Sequence, residues 1–453
     1  MDWVRIKVSK SGPSIRENNV MYSDEINNQL TIIRNACDVI DKINNGSSGG
    51  PVIIVKPGDV LNSVIEQALA GSVLSIDNSY VTQEDVVVSK PLALIASTPV
   101  GPGRISPNSR VPTINGKFTN TAPGVSLTSL AVNGINNAAF LLTVFDGTVM
   151  KQCILTGSQQ GQHRAIWADA KNVSILDSYI WNIFESIDCQ AIFAYNGCNG
   201  LNVDNCYLEA SGENILFGGA DADSADKIPQ NITINNCDIT KQLAWQGVAG
   251  ITVKNHLELK CVIGLKMTNC RLSNCWTQAQ TGYSIVLTVR NQDGKAPFSI
   301  VQNVVIDGNT IANVGAGVQI LGRDDTPGKP SQVMTNVQLS NNAYDIVAAL
   351  GACRQYFISG GPDKLLLVNE KFTGANLNSF LCFDQPQLQC TNFEFDGCNF
   401  QEGDYGIFGT NAPALGTAVL DMYTPGYKCS NNIVQKGTSG RFINYPSCIT
   451  LQG

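Results

Sequence analysis

The chain has 453 residues, a formal net charge of -7 and only two His. It is 43% hydrophobic but only 15% charged, and Gly fills 42 positions. That balance excludes a mainly helical protein and a general nucleic-acid binder, and no apolar run is long enough to cross a bilayer.

Taken in chain order, residues 1–19 lack the apolar centre of a signal peptide, which predicts folding in a cytoplasm. Residues 23–44 predict a short α-helical segment, with Ser23 as N-cap, Asp24 and Glu25 in the first turn and Gly46 beyond the end. Its apolar positions Ile26, Leu30, Ile33, Cys37 and Ile40 alternate in steps of four and three. That is the spacing of a coiled-coil seam and predicts self-association. Asn45 to Gly50 reads as a flexible linker. Pro57 to Ala70 has the pattern of an amphipathic capping helix, and short apolar strands follow at Val73 to Ile76 and from Val86 to Ile95.

From residue 150 onward one pattern recurs: apolar, any, Asn/Asp/Gly, a small residue, any, apolar. Copies run from Ile175 to Ile180, Val203 to Leu208, Ile234 to Ile239, Met267 to Leu272, Ile306 to Ile311, Leu339 to Tyr344 and Phe395 to Phe400, with weaker ones around Cys153 and Glu370. The fourth residue of each copy recurs at steps of 25 to 39 residues. A period near 28 with swollen central insertions predicts a solenoid of strands and tight turns. Stacking the copies aligns Asp177, Asn205, Asn236, Asn269, Asn341 and Asn369, residue types that tolerate a left-handed turn. It also aligns Cys153, Cys206, Cys237, Cys270 and Cys398 in an interior corner. A second apolar strand is expected to begin at Ile166, Ile192, Ile215, Ile251, Ile285, Val318, Phe357, Phe380 and Ile407. The 15 Cys, with no CxxC and no Cys/His ligand spacing, read as free buried thiols. No metal and no cofactor are implied.

The pattern is that of an all-β, right-handed parallel β-helix solenoid of about ten coils behind a short N-terminal α-helical segment. It divides into 1–50 for anchoring and oligomerisation, 51–110 for the capping helix and first coils, 111–410 for the parallel β-helix and 411–453 for a closing segment. Over about residues 50 to 450 the capping helix, first strands and repeat resemble the pectate-lyase-like β-helix superfamily. The segments Leu208 to Asp221, Val253 to Lys260, Leu287 to Gly294 and Gly315 to Asp324 resemble a group of bacterial and viral β-helix repeat proteins. An assembling helix, a linker and a β-helix together resemble a phage tailspike or virion fibre. That resemblance implies a homotrimer joined to virion tail or capsid proteins through its N-terminus. Such a protein assembles in the host cytoplasm and binds host-surface polysaccharide, with no nucleic-acid partner and no membrane insertion.

The longest coils lie between residues 206 and 342, and chemistry is expected there. Aligning the second strands brings Asp221, Lys254, Arg290 and Arg323 together, with Glu209, Glu213, Glu258, Asp293, Asp324 and Asp325 close by. A lyase on uronic-acid polymers would use Lys254, Arg290 or Arg323 as its cation. A glycoside hydrolase would pair Glu209 or Glu213 with Asp221, Asp293 or Asp324. An esterase is disfavoured, with only His163 and His256 and no GxSxG. Trp245, Trp276 and Tyr283 are the expected carbohydrate platforms, with Trp167 and Trp181 one or two coils earlier. The alternatives are a salt-bridge network that only holds the long turns, and a purely structural virion decoration.

Overall fold

The computed structural model describes residues 50–136, 138–412, 414–437 and 443–453. The helix expected at 23–44 lies outside them. From Val52 onward the chain winds through three long sheets. Sheet I has 14 strands, from Val52–Val55 to Lys428–Ser430, and sheet II has 14, from Val81–Thr82 to Ile449–Gln452. Sheet III has 13, from Val86–Val88 to Ile407–Gly409 and Ala414–Leu415. From Val73–Ile76 to Ile407–Gly409 each turn of the chain adds one strand to I, II and III in that order. Neighbours pair in parallel throughout, except where Phe408 meets Leu415. The molecule is a right-handed parallel β-helix, and its ladders run past both ends of the repeat series read from the sequence.

The recurring motif forms the corner between sheets I and II. Asp177, Asn205, Asn236, Asn269, Asn341 and Asn369 all hold φ between 51° and 56°. Gly308 and Gly397 take the same place at 67° and 64°, because that conformation is strained for most side chains. The amides stack: Asn205 donates to Asp177 at 2.7 Å and Asn369 to Asn341 at 3.1 Å. The next position points inward and ties coil to coil. The backbone N–H of Cys206 donates to the Cys237 sulfur, that of Cys237 to the Cys270 sulfur, and that of Cys270 to Asn309 Oδ1. The backbone N–H of Asn309 continues the ladder to Asn342 Oδ1, and that of Asn342 to Glu370 Oε1, at 2.9 Å each. A buried N–H that the turn takes out of the sheet ladder is thus satisfied by the coil above.

The inward row of sheet III is Ile166, Ile192, Ile215, Leu257, Ile285, Val318, Tyr356, Leu381 and Ile407. The strand expected at Ile251 forms instead at Leu257–Leu259. Ile251 and Val253 belong to an insertion and pack with Trp245 and Trp276 in a satellite cluster. Tyr356 and Leu381, rather than Phe357 and Phe380, hold the inward register in the later coils.

Helix α1, Leu61–Gln67, buries Leu61 and Ile65 against the first coils and covers apolar surface that an open stack would expose. Helix α2, Thr417–Tyr423, buries Val419, Leu420 and Tyr423 near the other end. Residues 97–112 fold over sheet II, where Ile105 and Val111 pack on Ala131 and Ile154, and Arg104 reaches Asp238. The all-free cysteine reading is corrected at one place. Cys429 and Cys448 form a disulfide across the last coil, while 12 other Cys are free and all but Cys353 of these are buried.

Candidate functional site

Strand alternation makes every second residue of sheet III face outward. One outward row reads Thr143, Trp167, Phe193, Leu216, Glu258, Val286, Gln319, Phe357 and Cys382 along the rod. At its middle lies a groove of about 430 Å³, bordered by Glu258, Lys260, Thr288, Arg290, Gln292 and Gln319 among others. Glu258 is nearly buried; it takes a hydrogen bond from Asn255 Nδ2 at 3.0 Å, and Lys260 Nζ lies 3.5 Å from its other oxygen. On one side of the groove the row is aromatic. Trp167 and Phe193 meet edge-on at 5.6 Å, with Tyr195 and Phe140 beside Trp167. On the other side Phe357 is half-buried under the Arg354 guanidinium at 5.1 Å.

The structure divides the expected charge cluster in two. Arg290, Asp324 and Asp325 sit beyond the C-terminal ends of the strands. Arg290 Nη1 lies 3.1 Å from Asp324 and 3.0 Å from Asp325. Burial works to raise the Asp324 carboxyl, but the Thr326 and Asn291 N–H groups and Arg290 outweigh it and hold the pKa below its usual value. Asp221 is in this group through its Oδ2, which accepts the N–H groups of Asp293 and Lys295 at 3.1 and 2.9 Å. The Asp293 side chain is exposed. Arg323 is spent on the Gly360 and Gly361 carbonyls and organises a turn.

Lys254 is not with them, which corrects the alignment. Because the strand starts at Leu257 and not at Ile251, Lys254 falls at the opposite, N-terminal end of the sheet III strands. There it bridges Asp188 at 2.5 Å and Glu213 at 3.0 Å. Burial works to lower the Lys254 pKa, yet the two carboxylates overcome it and hold the ammonium well above its ordinary range. Glu213 is fully buried and also accepts from Gln190. Glu209 lies on sheet II, where it accepts from the Asn182 N–H, Gln242 Nε2 and the Tyr207 hydroxyl. Neither glutamate opens onto the groove, so the expected hydrolase pairs do not converge there.

The three expected aromatic platforms are also relocated. Trp245, Trp276 and Tyr283 are only 5%, 3% and 3% exposed. Trp245 and Trp276 are buried where their insertion folds back, and Tyr283, at the start of a sheet III strand, is covered by Val286, Ala316 and Phe357, so these offer no face to a ligand. Trp167 and Trp181 are both half-buried, Trp167 on sheet III and Trp181 on sheet II, and the outward placement of Trp167 needs the register of sheet III.

Sequence reasoning missed Lys241. It is fully buried, and its ammonium donates to the carbonyls of Ala210, Ser211, Gly212 and Asn255 and to Asn214 Oδ1, at 2.5 to 3.2 Å. Burial lowers its pKa to about 8. His256 beside it is buried as well, with its pKa pushed down to about 3 by burial and by the Lys241 charge. Its ring nitrogens meet Ser284 Oγ and the Ser273 carbonyl, so it is a turn fastener and not an exposed base. Among the described residues no group of His, Cys, Asp and Glu is placed to hold a metal ion.

No protein-family model matches the chain, and no curated protein matches it. Solved structures do. A mannuronic acid-specific polysaccharide family 6 lyase from human gut microbiota is 11% identical with a TM-score of 0.51, over 89% of this chain and 92% of that one. A mutant of the PL6 family alginate lyase AlyGC is 10% identical with a TM-score of 0.53 over 88% of this chain, which spans about half (53%) of the enzyme. The tailspike gp49 of Acinetobacter baumannii bacteriophage Fri1, a capsular polysaccharide depolymerase, aligns at 11% identity and a TM-score of 0.37, over 82% of this chain and 56% of that one. At these identities the first two establish architecture: the chain is a parallel β-helix repeat protein.

Proposed function

We propose that the protein binds a polysaccharide laid along the outer face of sheet III. The observation that carries this reading is the outward row itself. It combines the half-exposed Trp167 ring, a polar groove at Glu258, Lys260 and Arg290, and the half-buried Phe357 ring. These span six strand steps, roughly 29 Å at the strand spacing. Aromatic faces suit the apolar faces of sugar rings, and polar groups between them suit hydroxyls. In this reading the chain is a tailspike-like virion component that attaches to host-surface polysaccharide as a homotrimer, joined to tail or capsid proteins through residues 1–50. The support for that assembly is the heptad spacing of Ile26, Leu30, Ile33, Cys37 and Ile40.

A second reading is β-elimination on a uronic-acid polymer. It is favoured over hydrolysis because only one carboxylate, Glu258, borders the groove, beside the ion-paired Lys260 and Arg290. Hydrolysis requires a carboxylate pair. The test is incubation of the purified full chain with capsular and exopolysaccharides, following retention, new reducing ends and the ultraviolet absorbance of unsaturated uronates. Retention without new ends supports attachment alone, and new ends with the absorbance support the lyase. Failure to retain any polymer in a broad panel overturns the proposal.

A further inference from the structure

Three strand steps from the groove, at the N-terminal side of the same face, lies a second cluster with its own chemistry. The Arg164 guanidinium sits 4.1 Å from the centroid of the Phe193 ring and 5.4 Å from that of Trp167. Among the described residues no carboxylate lies at ion-pair distance from it. Of the carboxylates whose charge it feels, Asp188 and Glu213 are paired with Lys254, and Asp169 is taken by the Trp167 indole and two backbone N–H groups. Among the described residues the guanidinium makes one hydrogen-bond contact, a long one of 3.4 Å from Nη1 to His163 Nδ1, and its Nε is buried without a partner. Such a buried donor in a native fold calls for an explanation.

The platform beside it is built and held. The Trp167 indole N–H donates to Asp169 at 2.7 Å, and Asp169 also accepts the N–H groups of Tyr195 and Asn196. The ring is therefore fixed in orientation, half-exposed, and placed next to a planar cation with unused donors. A guanidinium presents paired N–H groups that match a carboxylate in a bidentate manner, and its attraction to an anion is strengthened where aromatic rings exclude water.

We infer that Arg164 and Trp167 form a second subsite, which takes a carboxylate-bearing sugar of the bound chain, the ring stacked on Trp167 and the carboxylate held by Arg164. This rests on the proposed polysaccharide reading and adds to it the acidic class of the ligand. The subsite lies roughly 14 Å along the rod from the strand that carries Glu258. A short fragment therefore fills either this subsite or the groove, and only a longer chain engages both and gains by linkage.

The experiment uses the full chain and pairs of probes: each uronate-containing polysaccharide of a capsular and exopolysaccharide panel beside its own carboxyl-reduced form. The expected result is at least tenfold tighter binding of the native polymer. Arg164→Gln should remove most of that difference while leaving the affinity for the reduced polymer within about twofold. Trp167→Phe keeps an aromatic ring in the platform, and should abolish the change in protein fluorescence that the acidic polymer induces. Unchanged circular dichroism and melting certify the folding of each variant. Should Arg164→Gln fail to fold, the loss of the fluorescence response in Trp167→Phe and the preference of the wild-type chain decide the matter. Equal binding of native and reduced polymers, or full preference retained in Arg164→Gln, overturns the subsite while the polysaccharide reading stands. No binding of any polymer overturns both.

Discussion

Glu370 offers a quantitative test of the interior ladder. It stands in the sheet I–II corner where most coils place Cys or Asn, and it is fully buried. Its Oε1 accepts both the backbone N–H and the side-chain amide of Asn342 at 2.9 Å, and its other oxygen accepts the Tyr356 hydroxyl. Burial raises its pKa from 4.5 to about 7, against the pull of those hydrogen bonds. The folded chain therefore binds this proton more tightly than the unfolded chain. The stability it contributes is complete below pH 4.5 and is lost as pH rises through about 7. At about 1.4 kcal/mol for each tenfold step, the displacement is worth roughly 3 kcal/mol. Glu370→Gln retains the shape, an acceptor for Asn342 and a partner for Tyr356, whose hydroxyl both donates and accepts. Relative to wild type, the variant should change little at pH 4. At pH 8.5 it should be more stable, by up to roughly 3 kcal/mol. Guanidinium unfolding midpoints of the two chains at pH 4, 6 and 8.5 measure the gap. A gap that does not widen with pH, or a wild type that gains on the variant as pH rises, would refute the reasoning.

Two further substitutions test other parts of the rod. Asn205→Ala forces a β-carbon-bearing residue without a polar side chain to hold φ at 51° and deletes the hydrogen bond to Asp177. A loss of about 2 kcal/mol is expected, and Asn205→Gly should recover about half of it in the same denaturant titration. Lys254→Met strips the ion-pair partner from the fully buried Glu213. It should destabilise the chain by about 3–5 kcal/mol near neutral pH, and Glu213→Gln placed on top of it should restore much of the loss. A Lys254→Met chain as stable as wild type would show that Glu213 does not depend on this partner.

Much of the rod is legible in the sequence because its corner is chemically demanding. A left-handed backbone position selects Asn, Asp or Gly, and a narrow inward position selects Cys or Asn. Asn205-Cys206 and Asn236-Cys237 therefore announce the turn without any structure. The second strand of each coil carries no such signal. Ile251 and Val253 are as apolar as Leu257 and Leu259, yet the first pair packs under an insertion with Trp245 and Trp276 while the second joins sheet III. That one displacement carries Lys254 to the far end of the strands and explains why the expected charge cluster separates. The charged residues of the long turns were readable, but their pairing was not. Asp324 pairs with Arg290, and one oxygen of Asp221 is taken by backbone N–H groups. Trp167 was visible as a residue but not as a surface platform, since alternation assigns it outward only once the register with Phe193 is known. The Cys429–Cys448 disulfide has no spacing signature either; it joins the last strand of sheet I to the residue just before the last strand of sheet II.

The most direct measurement is a crystal structure of the chain with an oligosaccharide prepared from a polysaccharide it retains. Sugar rings are expected along the outer face of sheet III, in the groove at Glu258, Lys260 and Arg290 and toward Trp167. Rings bound instead on sheet I or on sheet II, with this face empty, would contradict the proposed function.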